Sequence, residues 1–227
     1  MIKMEDSKEI DKYGMGRAAE VAANFLHSIL TQPIEELNGL ITDKVKFWRF
    51  KNQVNILLKA KDYLESKGIN PSRIPLKSVS NLLEYASLEE DKGMQERWAA
   101  LLANAAKETK DYDLIHIFST ILNQLSPQEV AVLEYMFSRC FYKSDRHRPF
   151  IEKGDIIRLS FTTYHVTLLI FDNLVRLRLI EEEPPKIKFE KDELTYDMDI
   201  SETTLTPSTK VRLSEFGVEF IKRTRFR

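Results

Sequence analysis

Cysteine is nearly absent: Cys140 is the only one in 227 residues. A lone thiol closes no internal disulfide and cannot build a Cys-rich zinc site, so a reducing compartment, the cytoplasm, is the expected location. Glycine (7) and proline (8) are scarce as well, which disfavours a sheet-and-turn protein and suits a helical one. Long apolar runs are missing. The most apolar early stretch, residues 18–30, contains Glu20, Asn24 and His27. It is well short of the ~20 apolar residues of a bilayer span. The opening Met1–Asp6 is mixed in charge with no apolar signal segment behind it, so neither a leader nor a membrane span is expected. An excess of one charge is missing too. Thirty-four basic side chains face 35 acidic ones, a net charge of −1 that excludes a global field attractive to nucleic acid and leaves room only for a local patch.

The familiar catalytic patterns are also missing. The four histidines, His27, His116, His147 and His165, form no His-x-x-x-His pair and no Glu-x-x-His spacing, which removes the common helical zinc and di-iron arrangements. No glycine-rich phosphate loop, dinucleotide fingerprint or Gly-x-Ser-x-Gly elbow occurs. Cys140 and His147 are close in sequence only, and Cys140 ends a predicted core helix, so it reads as a structural thiol. The expectation is a protein that is not an enzyme and carries no cofactor or metal.

What is present is a soluble core-former: 43% apolar and 30% charged residues, too hydrophobic for a disordered chain. After a polar lead-in over 1–17, Val21, Phe25 and Ile29 mark one stripe of a helix over 18–30. Pro33 punctuates, and Leu40, Phe47 and Val54 recur every seven residues in a long helix from Ile34 to about Glu65, stopped by Gly68 and Pro71. Pro75 opens a shorter helix. Ser87 with Glu90, and Ser126 with Glu129, read as capping boxes launching helices over 94–107 and 130–141, with another helix over 112–123 between them. Beyond residue 140 the pattern predicts a helix over 151–159 and one over 162–179 with Val166, Leu169, Ile170, Leu174 and Leu177 inward. All appreciable strand is expected between 185 and 213, before a last helix over 215–224. The fold expected is mainly α: a helical domain over 18–125, then a small α+β winged-helix-like domain over 126–227. An irregular α+β cap is the alternative.

The ordered series Gly39-Leu40-Ile41, Phe47-Trp48-Arg49-Phe50, Ile74-Pro75-Leu76-Lys77, Ala86-Ser87-Leu88-Glu89-Glu90-Asp91 and Gln95-Glu96-Arg97-Trp98-Ala99-Ala100 resembles the abortive-infection alpha family of bacterial phage-defence proteins. Leu125-Ser126-Pro127 and the closing Arg212-Leu213-Ser214-Glu215-Phe216-Gly217 extend the resemblance over most of residues 30–220. It implies a role in antiviral defence and supplies no mechanism.

Two classes of action follow. In the first, the protein acts on an unidentified protein partner, such as a phage component, through candidates Arg49, Lys77, Glu89 and Glu90. An Arg49 pair with Glu36 or Asp43 and dipole-stabilised carboxylates at 89–91 are the structural readings of the same residues. In the second, the carboxyl-terminal domain binds nucleic acid through Lys143, Arg146, Arg148, Thr163, His165, Arg176 and Arg178. Against this stand nine carboxylates and three lysines over residues 181–202, a wing that repels phosphate. Trp48 and Trp98 are both expected in the helical core.

Overall fold

The computed structural model describes residues 16–30, 44–107, 112–140, 148–159, 163–190, 202–206 and 208–226. The chain divides into two compact units, Met1–Pro127 with Lys222–Arg227, and Gln128–Ile221.

The first unit is helical: α1 (Gly16–Ile29), α2 (Lys44–Ser66), α3 (Leu76–Ala86), α4 (Lys92–Lys107) and α5 (Tyr112–Leu122). Its axis is α4, in which every residue from Trp98 to Ala106 is buried. A helix apolar on all sides has to be surrounded by others, and the alanines at 99, 100, 103, 105 and 106 let those neighbours approach closely. α2 packs along it through Val54, Ile56, Leu57, Ala60 and Leu64. α1 contributes Ala19, Ala22, Phe25, Leu26 and Ile29 to the core, and α3 contributes Val79, Leu82, Leu83 and Ala86. The only β pairing among the described residues of this unit is an isolated bridge between Leu30 and Ile74. The last residues of the chain are tied in: Asn104 Nδ2 donates to the carbonyls of Arg223 (2.9 Å) and Arg225 (3.2 Å), and the rings of Tyr63 and Phe226 lie 4.5 Å apart.

The second unit runs α6 (Pro127–Cys140), β1 (Ile151–Glu152), α7 (Lys153–Leu159), α8 (Tyr164–Arg176), β2 (Ile180–Glu182), β3 (Lys186–Glu190), β4 (Glu202–Thr206), β5 (Lys210–Leu213) and α9 (Glu215–Arg223). β5 is the central strand of a three-stranded antiparallel sheet, ordered β1-β5-β2, with Ile151 opposite Val211 and Ile180 opposite Leu213. β3 and β4 pair antiparallel, Lys186 opposite Thr206 through Glu190 opposite Glu202. Helix, strand, two helices, strand, hairpin and returning strand make the winged-helix layout. Ile170, Phe171, Leu174, Leu179, Val211, Leu213 and Phe220 form its core.

Several expectations need correction. Ser87 does not cap the following helix. Its N–H and hydroxyl both bond the Glu84 carbonyl and close α3, while Asp91 Oδ1 accepts the Met94 N–H at 2.9 Å and caps α4. Strand extends outside 185–213, at 151–152 and 180–182, because short strands read as helix ends until β5 pairs with them. Val166 and Leu169 face outward, and the buried stripe of α8 is Thr167, Ile170, Phe171 and Leu174. Trp98 is 1% exposed, as expected, but Trp48 is 54% exposed, one turn before Asn52 and away from the stripe that α2 buries. The stretch expected as helix from Ile34 to Asp43 lies outside the described residues.

Two substitutions test this packing. Trp98→Ala is expected to cost ~3–5 kcal/mol in denaturant titrations, the range of large aromatic truncations in a core. Gly217 lies on α9, where an added Cβ would stand 2.0 Å from the Leu179 carbonyl oxygen. Helix propensity alone would make Gly217→Ala stabilising by ~1 kcal/mol. The clash with backbone reverses the sign, and a net loss of ~1–3 kcal/mol is expected from the same titrations.

Candidate functional site

In the first unit, a polar network of buried side chains fixes the α3–α4 loop. Asn52 Nδ2 donates to the Ser87 carbonyl (3.0 Å), and Gln95 Nε2 donates to Asn52 Oδ1 (3.3 Å) and to the Glu89 carbonyl (2.9 Å). Arg49 Nε donates to Ser87 Oγ at 2.9 Å. Asn52, Ser87 and Gln95 are all buried, so each of these groups needs a partner inside the protein, and each finds one. The loop held this way carries Leu88, 65% exposed, beside the exposed Glu90 and Asp91. Trp48 precedes Arg49 on α2 and is exposed, with Lys51 Nζ 5.3 Å from its ring centroid.

The candidates of this unit are thus partly brought together. Arg49 and Glu89 join the network, Glu89 through its carbonyl, while Glu89 Oε1 accepts the Asp91 N–H at 2.9 Å. Glu90 is exposed beside them. Lys77 is exposed on α3 and belongs to no part of the network. The carboxylates expected to pair with Arg49 lie outside the described residues. No group of three or more His, Cys, Asp or Glu side chains among the described residues is placed to hold a metal ion. The sequence reading does not find the exposed Trp48 and Leu88, and helical phase marks Trp48: it shares a side of α2 with Lys51 and Asn55, opposite the buried Leu57 and Leu64.

In the second unit, Arg148 is a structural cation. Its guanidinium reaches Glu181 Oε1 (3.2 Å), the Leu213 carbonyl (3.1 Å) and Glu215 Oε1 (3.3 Å). Arg212 holds the other Glu181 oxygen at 2.8 Å and stacks over the Phe150 ring at 4.6 Å. Part of the acidic stretch is therefore neutralised within the unit, Glu181 by Arg148 and Arg212 and Glu182 by Lys153, while Glu183 accepts a hydrogen bond from the Ser208 hydroxyl. Lys143 and Arg146 lie outside the described residues.

The outward face of α8, the helix a winged-helix DNA reader would place in the major groove, is composed differently from a reader. Tyr164 (65% exposed), Val166 and Leu169 (55%) are its large exposed apolar groups, with Asp172 also exposed. Thr163 and His165 are exposed at its start, and the Thr163 carbonyl accepts both the N–H and the hydroxyl of Thr167. Arg176 lays two guanidinium donors on Asn173 Oδ1 at 2.9 and 2.7 Å. Arg178 is exposed and takes a left-handed backbone, φ 58°, to end the helix. Cys140 is buried and its thiol donates to the Met136 carbonyl at 3.4 Å. Burial pushes its pKa up despite the nearby Arg148 charge, which keeps the thiol protonated and unreactive at neutral pH.

The fold defines the class: a helical unit and a winged-helix unit on one chain. The family model for abortive infection alpha matches residues 51–224, and the chain belongs to that family. No curated protein and no solved structure matches it. No helix among the described residues is long and apolar enough to cross a membrane.

The Glu181 cluster predicts a pH dependence. Burial alone would raise the Glu181 pKa, but the hydrogen bonds and charges of Arg212 and Arg148 outweigh it and hold the carboxyl below its usual value. A lowered folded-state pKa contributes stability above the unfolded value, and that contribution is lost as pH falls through the folded one. Glu181→Gln is therefore expected to destabilise at neutral pH by ~1 kcal/mol or less, given the exposure of the pair. In melts recorded from neutral to acid pH, the gap to wild type should close across the carboxylate range. A gap independent of pH would show that the ion pairs contribute nothing.

Proposed function

We propose that the protein serves antiviral defence of the abortive-infection type in the cytoplasm by binding another protein, a phage component, and that it does so without catalysing a reaction. Family membership supports the defence role. The observation that carries the mode of action is the exposed face of α8, where Tyr164, Val166 and Leu169 flank Asp172. Nucleic-acid reading needs cations for phosphate and free donors or acceptors for base edges. Here an apolar strip and a carboxylate occupy that place, and the guanidinium groups of Arg148 and Arg176 are bonded within the unit. Exposed aromatic and aliphatic groups on a rigid helix are the anchors from which protein interfaces are built.

The second reading, a winged-helix regulator that binds nucleic acid, retains Thr163, His165 and Arg178 as exposed polar groups on or beside α8. Salt dependence separates the two. Duplex binding through three phosphate contacts would give a slope of about −2.7 in log K against log salt. The expected result is no sub-micromolar duplex binding at physiological ionic strength, and loss of phage protection in cells carrying Leu169→Asp, with an unchanged melting curve. Sub-micromolar binding with that slope, or full protection by the variant, would replace this reading with the regulator.

A further inference from the structure

Four residues of α8, His165, Leu169, Asp172 and Arg176, follow one another at spacings of four, three and four, which lays them along one side of the helix. All four are exposed, and Val166 lies exposed on the same side, one turn before Leu169. The two opposite charges on this line stand one turn apart in the acid-to-base order that favours an ion pair on a helix. Arg176 instead places its Nε and one Nη on Asn173 Oδ1. Asn173 is itself held, through Nδ2, by the buried Glu129 of α6. The Asp172 carboxylate is left with no hydrogen bond or ion pair among the described residues.

A single carboxylate thus stands beside an apolar group on a helix whose other side is core. The unit around it is acidic as a whole. Residues 128–221 hold 17 acidic and 13 basic side chains, against 18 and 21 in the rest of the chain. The summed field of this unit favours the approach of a cation, and Asp172 offers that cation an acceptor with no internal competitor. The spacing of the line is that of a helix–helix seam: an apolar side chain of a facing helix can reach Leu169 and Val166 while a residue one turn away reaches Asp172. We propose that the occupant of this face is an amphipathic helix of the partner protein, with a lysine or arginine beside its apolar stripe, and that this cation seats on Asp172. The proposal rests on the reading of α8 as a protein-binding face and adds to it the shape and charge of what is bound.

The test uses full-length protein and a displayed library of amphipathic helices with a fixed leucine stripe and random residues along its flanks. Helices retained by wild type and rejected by Leu169→Asp are those that use this face. They are expected to share a lysine or arginine at one flank position, and selection against Asp172→Lys should return aspartate or glutamate there. For one selected peptide, Asp172→Asn should weaken binding at least ~10-fold, and added salt should narrow the gap between the two proteins. Unchanged melting curves for each variant separate a lost contact from a lost fold. In phage-challenged cells, Asp172→Lys should abolish protection as Leu169→Asp does. No enrichment of basic residues, or an enrichment that ignores residue 172, would overturn the proposal. Protection lost with Leu169→Asp but kept with Asp172→Lys would overturn it and leave the protein-binding reading standing. Protection kept by both variants would remove that reading as well. A wild-type dimer in sedimentation that Leu169→Asp splits would assign the face to a second copy and overturn the proposal too.

Discussion

The buried amides of α4 set much of the arrangement of the helical unit. Once a helix has no solvent face from Trp98 to Ala106, any polar side chain on it must find a partner inside the protein. Asn104 meets that demand with two backbone carbonyls near the end of the chain, those of Arg223 and Arg225. Gln95 meets it at the other end with Asn52 and the Glu89 carbonyl. Leaving either amide unpaired would cost ~1–3 kcal/mol, so these bonds act more as conditions on the fold than as additions to it. They dictate that the last residues return to this unit and that the α3–α4 loop has a fixed course.

The winged-helix unit relies on a comparable point of closure. Ser214 accepts the Gly217 N–H at 2.8 Å and donates to the Arg178 carbonyl at 2.6 Å, which joins the start of α9 to the end of α8. Arg178 reaches that position with a positive φ, and the bare Cα of Gly217 lets α9 lie against the Leu179 backbone. On the sheet, Glu181 sits between Arg148 and Arg212 and so engages two basic side chains of this unit, one of them, Arg148, a candidate for meeting phosphate. Folding requirements and nucleic-acid affinity compete for the same arginine, and folding has it.

Much of the fold was legible in the sequence because capping and periodicity are local. Pro127 starts α6 where the Ser126 signal placed it, the helices of the first unit fall at the expected positions, and Trp98 is in the core. What was not legible depends on partners distant in sequence. β1 is two residues long and exists only because β5 passes beside it. Ser87 looked like an N-cap because Glu90 follows at the right offset, but its carbonyl and hydroxyl were already committed to Asn52 and Arg49. Phase errors account for the site. Ile170 and Leu174 are inward as expected, but extending their stripe to Val166 and Leu169 goes too far round α8: Thr167, bonded to the carbonyl one turn back, and Phe171 complete the buried side, and the polar side chain of Thr167 hides that phase. Trp48 was assigned to the core by residue type, when its position beside Lys51 and Asn55 places it on the outer side of α2.

Those two misread helices share a physical feature. An apolar side chain on an outward face loses the ~25 cal/mol per Å² that burial would contribute, and folding alone gives no reason to place it there. Scattered cases are ordinary on any surface. Here the exposed groups lie on rigid elements: Leu88 on a loop held by buried amides, Leu169 and Tyr164 on a helix whose opposite side is core. A side chain already fixed in place loses little conformational freedom when a partner arrives, so rigid presentation strengthens whatever contact it makes. The winged-helix layout then supplies a firm, projecting helix, and its surface composition decides what that helix meets. With Leu169 and Asp172 at the centre of the exposed face, that helix presents an apolar group and a carboxylate where a DNA reader carries cations and polar readers.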